Sequence, residues 1–153
     1  MNPATDLPPP TDPSHRDSLC ALLAWYETLT PASLEMLGQF YAPDARFRDP
    51  FNDVRGTAAI HAIFVHMFNT VESARFTMAT PMASGADAYV PWTFTGKVRG
   101  RAFDVPGCSR LHFNAHGRVS DHQDFWDAAT LWRQLPMIGA PVRWLAKRFA
   151  TQG

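Results

Sequence analysis

The chain has 153 residues, and its 14 lysines and arginines balance its 14 aspartates and glutamates. This length fits one domain with a single core, while the charge balance and the lack of a basic block argue against a nucleic-acid partner. No apolar run approaches the roughly 20 residues that span a bilayer, so a membrane partner is not expected. The start of the sequence lacks a signal-peptide pattern, and Cys20 and Cys108 lack metal or redox spacing. We therefore expect a cytoplasmic protein.

The first part of the sequence predicts a proline-rich tail followed by helices. Residues 1–13 carry five prolines and almost nothing to bury, which is typical of a disordered tail, so one domain is expected over 14–153. Thr30 and Pro31 supply the cap and the first turn of a second helix. The first helix is predicted from apolar residues at helical spacing, with Trp25 on their flank: Leu19, Leu22, Leu23, Tyr26 and Leu29.

A short strand and a third helix are predicted next. Residues 44–49 are expected to form a strand that ends before Pro50, because the residue before a proline favours extended geometry. A helix is predicted to begin at Gly56–Thr57 and to bury a stripe that ends at Val71. His61 and His66 lie off that stripe, so we interpret both as solvated side chains.

From Ala74 the apolar pattern changes to a period of two, which indicates strands. The predicted strands cover 74–80, 88–98, 101–113 and 118–126. Helices followed by a long antiparallel run are typical of an α+β fold. After the last strand, Asp127 is expected to cap a helix over 128–135. A basic amphipathic helix over 141–149 is expected to dock on its own domain rather than on a membrane.

The last predicted strand has two chemically unequal faces. Alternation places Ser120, His122, Asp124 and Trp126 on one face, and the other face carries Val119, Asp121, Gln123 and Phe125. A hydroxyl, an imidazole, a carboxylate and an indole in register suit the wall of a polar-floored cavity better than a packed interior, where each polar group needs a partner. This strand is therefore the candidate site.

Two motifs carry a family resemblance. Phe47-Arg-Asp49-Pro50 followed by Arg55-Gly-Thr-Ala-Ala-Ile60, together with the hairpin over 111–119, resembles the ketosteroid isomerase branch of the nuclear transport factor 2-like superfamily. That superfamily also includes SnoaL-like polyketide cyclases, scytalone dehydratase and limonene epoxide hydrolase. The likeness covers residues 19–127. It implies an α+β cone in which a curved antiparallel sheet wraps round the N-terminal helices, here with an extra C-terminal helical segment.

The resemblance implies a role for Asp49. The proton-shuttling carboxylate of the isomerases falls on this residue, and burial under aromatic rings would raise its proton affinity. The alternative is that Asp49 only organises the turn at Pro50. The two oxyanion donors of the isomerases fall on Trp25, with Tyr26 one residue further, and on Ser109. An indole and a hydroxyl are weaker donors than the isomerase pair, so classical ketosteroid isomerisation is not expected.

His122 and Asp124 stand where the isomerases have mostly apolar residues. The resemblance implies an acid–base role, because cyclases and dehydratases of the superfamily draw such groups from this part of the cone. A histidine titrates near neutral pH, and a neighbouring carboxylate can orient it. The alternative is a buried pair that stabilises the sheet. A metal site with Asp49 as third ligand lacks a further ligand, so neither a metal nor a cofactor is expected.

The sequence thus predicts a cofactor-independent isomerase, cyclase or dehydratase that acts on an apolar, oxygen-bearing small molecule. Asp49, His122 and Asp124 are the predicted catalytic residues. The alternatives are a non-catalytic binder of a hydrophobic ligand, or a homodimeric scaffold paired through the outer sheet face at Gln123 and Phe125. Besides Trp25, Tyr26 and Ser109, the predicted pocket lining is Phe47, Phe64, Phe68, Trp92, Phe94, Leu111, Phe113 and Trp126.

Overall fold

The structure is a computed structural model that describes residues 13–135. The predicted tail lies outside the described residues except for Pro13, which opens the first helix. The predicted helix over 141–149 also lies outside them. Within this range, no helix is long and apolar enough to cross a bilayer.

The predicted α+β architecture is confirmed, with helices first and most strands after them. The elements are α1 (Pro13–Glu27), a 3₁₀ segment (Ala32–Met36), α2 (Leu37–Phe40), β1 (Tyr41–Arg48), β2 (Asp53–Arg55), α3 (Thr57–Thr70), β3 (Glu72–Met78), β4 (Met82–Ser84), β5 (Asp87–Val98), β6 (Arg101–Phe113), β7 (Val119–Trp126) and α4 (Ala128–Gln134).

Several element boundaries differ from the sequence prediction. The second helix is only a 3₁₀ segment and one α-helical turn, and β1 starts at Tyr41 rather than at residue 44. Pro43 accounts for both, because it pushes Ala42 into extended geometry and so ends the helix early. The strand predicted over 74–80 covers 72–78. Strands β2 and β4 were not predicted, since three residues are too few to show an alternating pattern.

The strands form one curved, unclosed sheet in the order β2-β1-β7-β6-β5-β3, with β4 beside β5. Every pair is antiparallel except β1 with β7, which run parallel. In that pair Phe47 lies beside His122, and Arg48 lies beside Gln123. The last strand is therefore inserted next to the first, and the chain positions around 48 and 123 become neighbours.

The inner face of the sheet packs against α1 and α3 in one large core. The helices contribute Leu19, Leu22 and Ile60, and the sheet contributes Leu111 and Val119, all buried. A second, smaller cluster forms where α4 packs on β6. Its buried members are Phe103, Val105 and Leu135. The two clusters leave a space between them, which becomes the candidate site.

A β-bulge in β7 changes one predicted face. Phe113 pairs with Val119 while His112 pairs with Asp121, so Ser120 is an extra residue in the ladder. Val119 is consequently fully buried on the same side as His122, although strict alternation placed them on opposite faces. Beyond the bulge, the predicted alternation holds, and His122 and Asp124 share the inner face.

Gly107 in β6 pairs with Trp92 of β5, and the indole lies directly over it. An added Cβ would stand 2.2 Å from the Trp92 ring. We expect Gly107→Ala to destabilise the fold by about 1–3 kcal/mol, because the ring must leave its position. Gly38→Ala is the matched control, since no atom lies within 4 Å of its added Cβ. Urea unfolding measures both, and equal stabilities would contradict this account.

Candidate functional site

A cavity of about 530 Å³ lies between the two apolar clusters. This volume falls within the roughly 300–1,000 Å³ of small-molecule sites. A cavity of this size is large enough to hold a small-molecule ligand. Its lining is mostly apolar and includes nine aromatic rings: Phe47, Phe51, Phe64, Phe68, Phe76, Trp92, Phe94, Phe103 and Trp126.

Besides the exposed Glu72, two less exposed carboxylates line this cavity, Asp49 and Asp124. Their proximity follows from the parallel register of β1 and β7, because Asp49 is one residue beyond Arg48 and Asp124 is one residue beyond Gln123. Neighbouring strands lie about 4.8 Å apart, and both side chains share the face of the buried Phe47. The fold thus places two acidic groups side by side in an apolar space.

The carboxylate of Asp49 is also the centre of a turn. Its Oδ1 accepts hydrogen bonds from the backbone N–H groups of Phe51 and Asn52, both at 2.7 Å, and the Asn52 amide donates to both carboxylate oxygens at 3.0 Å. Burial raises the pKa of Asp49; these hydrogen bonds oppose the rise, and the charge of Asp124 adds to it. Asp49 therefore organises the turn after Pro50 and lines the cavity, so the two interpretations are compatible.

The raised pKa of Asp49 gives a pH dependence of stability with a defined sign. The folded protein holds this proton over a pH range in which the unfolded chain has released it. The stability contributed by Asp49 is therefore complete at low pH and is lost as the pH rises through the folded-state pKa. We expect the free energy of unfolding of wild type minus that of Asp49→Asn to fall as the pH rises above the ordinary carboxyl pKa of about 4.

Asp53 provides a control of opposite sign. The hydrogen-bonded guanidinium of Arg46 lowers the pKa of this exposed carboxyl. Its contribution is present above the unfolded-state pKa and is lost as the pH falls through the folded-state pKa. Denaturant titrations of wild type, Asp49→Asn and Asp53→Asn from about pH 2 to about pH 8 measure both contributions. A difference for Asp49→Asn that grows with pH would refute the desolvation argument.

Asp124 is held by the residues behind it. Its Oδ1 accepts from His122 Nε2 at 2.7 Å and from the Ser109 hydroxyl at 2.5 Å, while the Trp92 indole N–H donates to Ser109 Oγ at 2.8 Å. Among the described residues, its Oδ2 accepts no hydrogen bond. One carboxylate oxygen is thus fixed by the protein, and the other is available to a ligand in the cavity.

His122 does not reach the large cavity. It is only 2% exposed, and it touches a separate void of about 30 Å³, roughly the space of one water molecule. Its Nδ1 lies 2.7 Å from the Tyr41 hydroxyl, which in turn lies 2.5 Å from the Tyr26 hydroxyl. The sequence prediction that His122 shares one space with the two aspartates therefore needs correction, because Asp124 stands between the imidazole and the cavity.

The hydrogen bonds of this network have one self-consistent direction. Burial raises the pKa of both Tyr26 and Tyr41, so both phenols keep their protons. If Tyr26 donates to Tyr41 and Tyr41 donates to Nδ1 of a neutral His122, every proton has an acceptor, and Nε2–H donates to Asp124. A protonated His122 would reverse the chain and leave the Tyr26 proton without an acceptor among the described residues.

The residues predicted to donate hydrogen bonds to an oxyanion bond to other groups of the protein instead. The Trp25 indole donates to the Ser33 carbonyl at 3.0 Å, Tyr26 is bonded to Tyr41, and Ser109 is bonded to Asp124. Trp25, Tyr26, Ser109, Leu111 and Phe113 do not line the large cavity, because they pack in the core cluster or behind Asp124. The other predicted lining residues do line it: Phe47, Phe64, Phe68, Trp92, Phe94 and Trp126.

Some lining residues were missed by sequence reasoning. His66 was interpreted as solvated, yet it lines the cavity, and burial lowers its pKa. Its spacing held the signal, since Ile63, His66 and Thr70 follow one another at three and four residues on one helix face. Glu72 and Arg99 reach the rim from a strand end and a turn, where no periodic pattern exists. No metal-binding group of three His, Cys, Asp or Glu side chains occurs within residues 13–135.

A family model described as the SnoaL-like domain matches residues 22–122. The chain belongs to the SnoaL-like domain family. This confirms the predicted superfamily. No curated protein sequence matched the chain.

Solved structures share this SnoaL-like fold. TsrD from Streptomyces laurentii is 25% identical, with 80% of this chain and 94% of that chain covered and a TM-score of 0.65. A nuclear transport factor 2-like protein of unknown function from Burkholderia pseudomallei is 17% identical, covering 80% and 98%, with a TM-score of 0.70. An LEH-like epoxide hydrolase from M. tuberculosis is 14% identical, covering 85% and 96%, with a TM-score of 0.66. The last two show similarity of fold alone.

Proposed function

We propose that this SnoaL-like protein is an acid–base enzyme that acts without a cofactor on an apolar, oxygen-bearing small molecule. The observation that carries the proposal is a pair of carboxylates with unequal environments on the wall of one apolar cavity. Membership of the SnoaL-like family supports a small-molecule enzyme. Isomerase, cyclase and dehydratase chemistry share one step, the removal of a proton next to a carbonyl.

Asp124 is the proposed base. The N–H of His122 and the hydroxyl of Ser109 both stabilise its charged form, and its second oxygen faces the cavity. It would take the proton from the carbon next to the substrate carbonyl, and the C–H electrons would pass into the enolate. His122 acts through Asp124 and has no contact with the cavity, so it is a positioning residue.

Asp49 is the proposed acid. Its pKa is raised by burial and, to a smaller extent, by the charge of Asp124, and a protonated carboxyl can donate a hydrogen bond to a developing enolate oxygen. It would replace the oxyanion donors that the sequence placed at Trp25, Tyr26 and Ser109. Two neighbouring carboxyl groups in different environments can thus divide the acid and base roles.

The shared step can be measured before the natural substrate is known. A panel of apolar ketones with exchangeable α-hydrogens is incubated with the protein in D₂O, and deuterium uptake is followed by NMR. Exchange faster than in buffer alone for at least one ketone is the expected result. Ketones that bind but exchange only at the buffer rate would contradict the enzyme and support the alternative of a hydrophobic-ligand binder, which the apolar lining also suits.

A further inference from the structure

The charges that face the cavity are unbalanced in its interior. At the rim, the exposed Glu72 and the exposed Arg99 offset each other. Deeper in, Asp49 and Asp124 have no ion pair with a lysine or an arginine anywhere in the described residues. His122, whose Nε2 lies 2.7 Å from Asp124 Oδ1, is neutral in the self-consistent hydrogen-bond network, and burial lowers the pKa of His66, which also lines the cavity. The negative charge of Asp124 is therefore not matched by a lysine or an arginine in the interior of the cavity.

Aromatic rings surround these carboxylates. Phe51 donates its backbone N–H to Asp49, and Trp126 follows Asp124 by two residues on the same strand face. The two rings contact each other edge to face, with centroids 5.3 Å apart and planes at 76°. One corner of the cavity thus combines two carboxylates with an indole and a phenyl ring. Ring faces attract cations through their quadrupole.

We propose that the cavity is selective for ligands that carry a positively charged amine on an apolar body. The amine would lie in the corner formed by Asp49, Asp124, Phe51 and Trp126, and the apolar body would fill the remaining space. An anionic ligand would be repelled by the same carboxylates. This inference rests on the proposed function in taking the cavity as the substrate site: Asp124 supplies the negative charge that attracts the amine, and Asp49 keeps the acid role.

The proposed selectivity for a cation comes from the four residues of this corner rather than from the whole cavity. A cation there gains from the carboxylate charge and from the ring faces at the same time, and the surrounding apolar walls weaken the screening by water. A neutral ligand of the same shape gains only the apolar contacts. The difference between a cation and its neutral isostere therefore isolates the proposed interaction from cavity fit.

Choline and 3,3-dimethylbutan-1-ol form such a pair, since a carbon in the alcohol replaces the nitrogen of choline. Binding of each to the full-length protein can be followed by NMR through the tryptophan indole signals. Choline is expected to bind at least about tenfold tighter than the alcohol. In the Asp49→Asn/Asp124→Asn double variant the preference should fall to near unity while the affinity for the alcohol changes less than about twofold.

Asp121→Asn is the matched control, because Asp121 lies on the same strand but pairs with Arg48 and Arg110 on the outer face. It should retain the preference for choline. If the double variant does not fold, the single variants Asp49→Asn and Asp124→Asn should each weaken the preference instead. Equal or tighter binding of the alcohol, no binding of choline, or a preference that survives both changes would overturn the proposal. This experiment measures binding alone. A negative result would overturn the preference for an amine but would not affect the proposed enzyme activity, which deuterium exchange tests.

Discussion

Asp124→Asn is expected to slow ketone deuterium exchange by about 100-fold or more, the usual contribution of a positioned general base. The amide oxygen of the new side chain can still accept from His122 and Ser109, so the network behind it should persist and the fold should keep most of its stability. The loss would then reflect the missing base rather than a damaged structure. Exchange rates by NMR and melting temperatures of the same samples provide the two readouts.

Asp121→Asn is again the matched control, since it changes the same chemical group three residues away on the opposite face of β7. Its exchange rate should stay within about threefold of wild type. The proposal fails if Asp124→Asn retains wild-type exchange, or if both variants lose it equally. The second result would point to a general effect of altering β7 rather than to proton removal at the cavity wall.

Tyr41→Phe is expected to destabilise the protein by about 2–4 kcal/mol, the largest stability effect among the tyrosine variants. Tyr41 is completely buried and stands in the middle of the donor chain. Removing its hydroxyl leaves the Tyr26 O–H without an acceptor and the His122 Nδ1 without a donor. Each stranded polar group costs about 1–3 kcal/mol in a buried site.

Tyr26→Phe tests the direction of the chain. If Tyr26 donates to Tyr41, its removal strands no proton and should cost only about 1 kcal/mol. The double variant should be at least as stable as Tyr41→Phe alone, because it removes the stranded Tyr26 hydroxyl as well. Urea unfolding of the four proteins completes the cycle. A Tyr26→Phe cost equal to that of Tyr41→Phe would show that the protons run from His122 outward.

The sequence was sufficient for features that repeat at short range. Periodicity identified α1, α3 and the long strands, and the motif around Asp49 and Pro50 indicated the family. Alternation along β7 placed Asp124 on the inner face, where the structure has it. The β-bulge at Ser120 was not predictable, because a bulge depends on the partner strand rather than on the residues of the strand itself.

The polar network was beyond sequence reasoning for a physical reason. Tyr41 lies outside the strand predicted over 44–49, and its link to His122 depends on the parallel pairing of β1 with β7, which no local pattern encodes. The same pairing places His122 behind Asp124, so in the proposed mechanism it positions that carboxylate and does not touch the substrate. Alternation predicts only the face of the sheet on which a polar residue lies. Whether its side chain reaches the cavity depends on how the surrounding side chains pack.

Because β7 pairs with β1, the candidate site can form only late in the synthesis and folding of the chain. The two strands meet only after nearly the whole described chain has been made, so a nascent chain on the ribosome holds Asp49 without Asp124 and Tyr41 without its histidine. Pairings between such distant segments are slow to form. Ligand recognition should therefore be among the last properties that the folding chain acquires, and any truncation before Trp126 should abolish it.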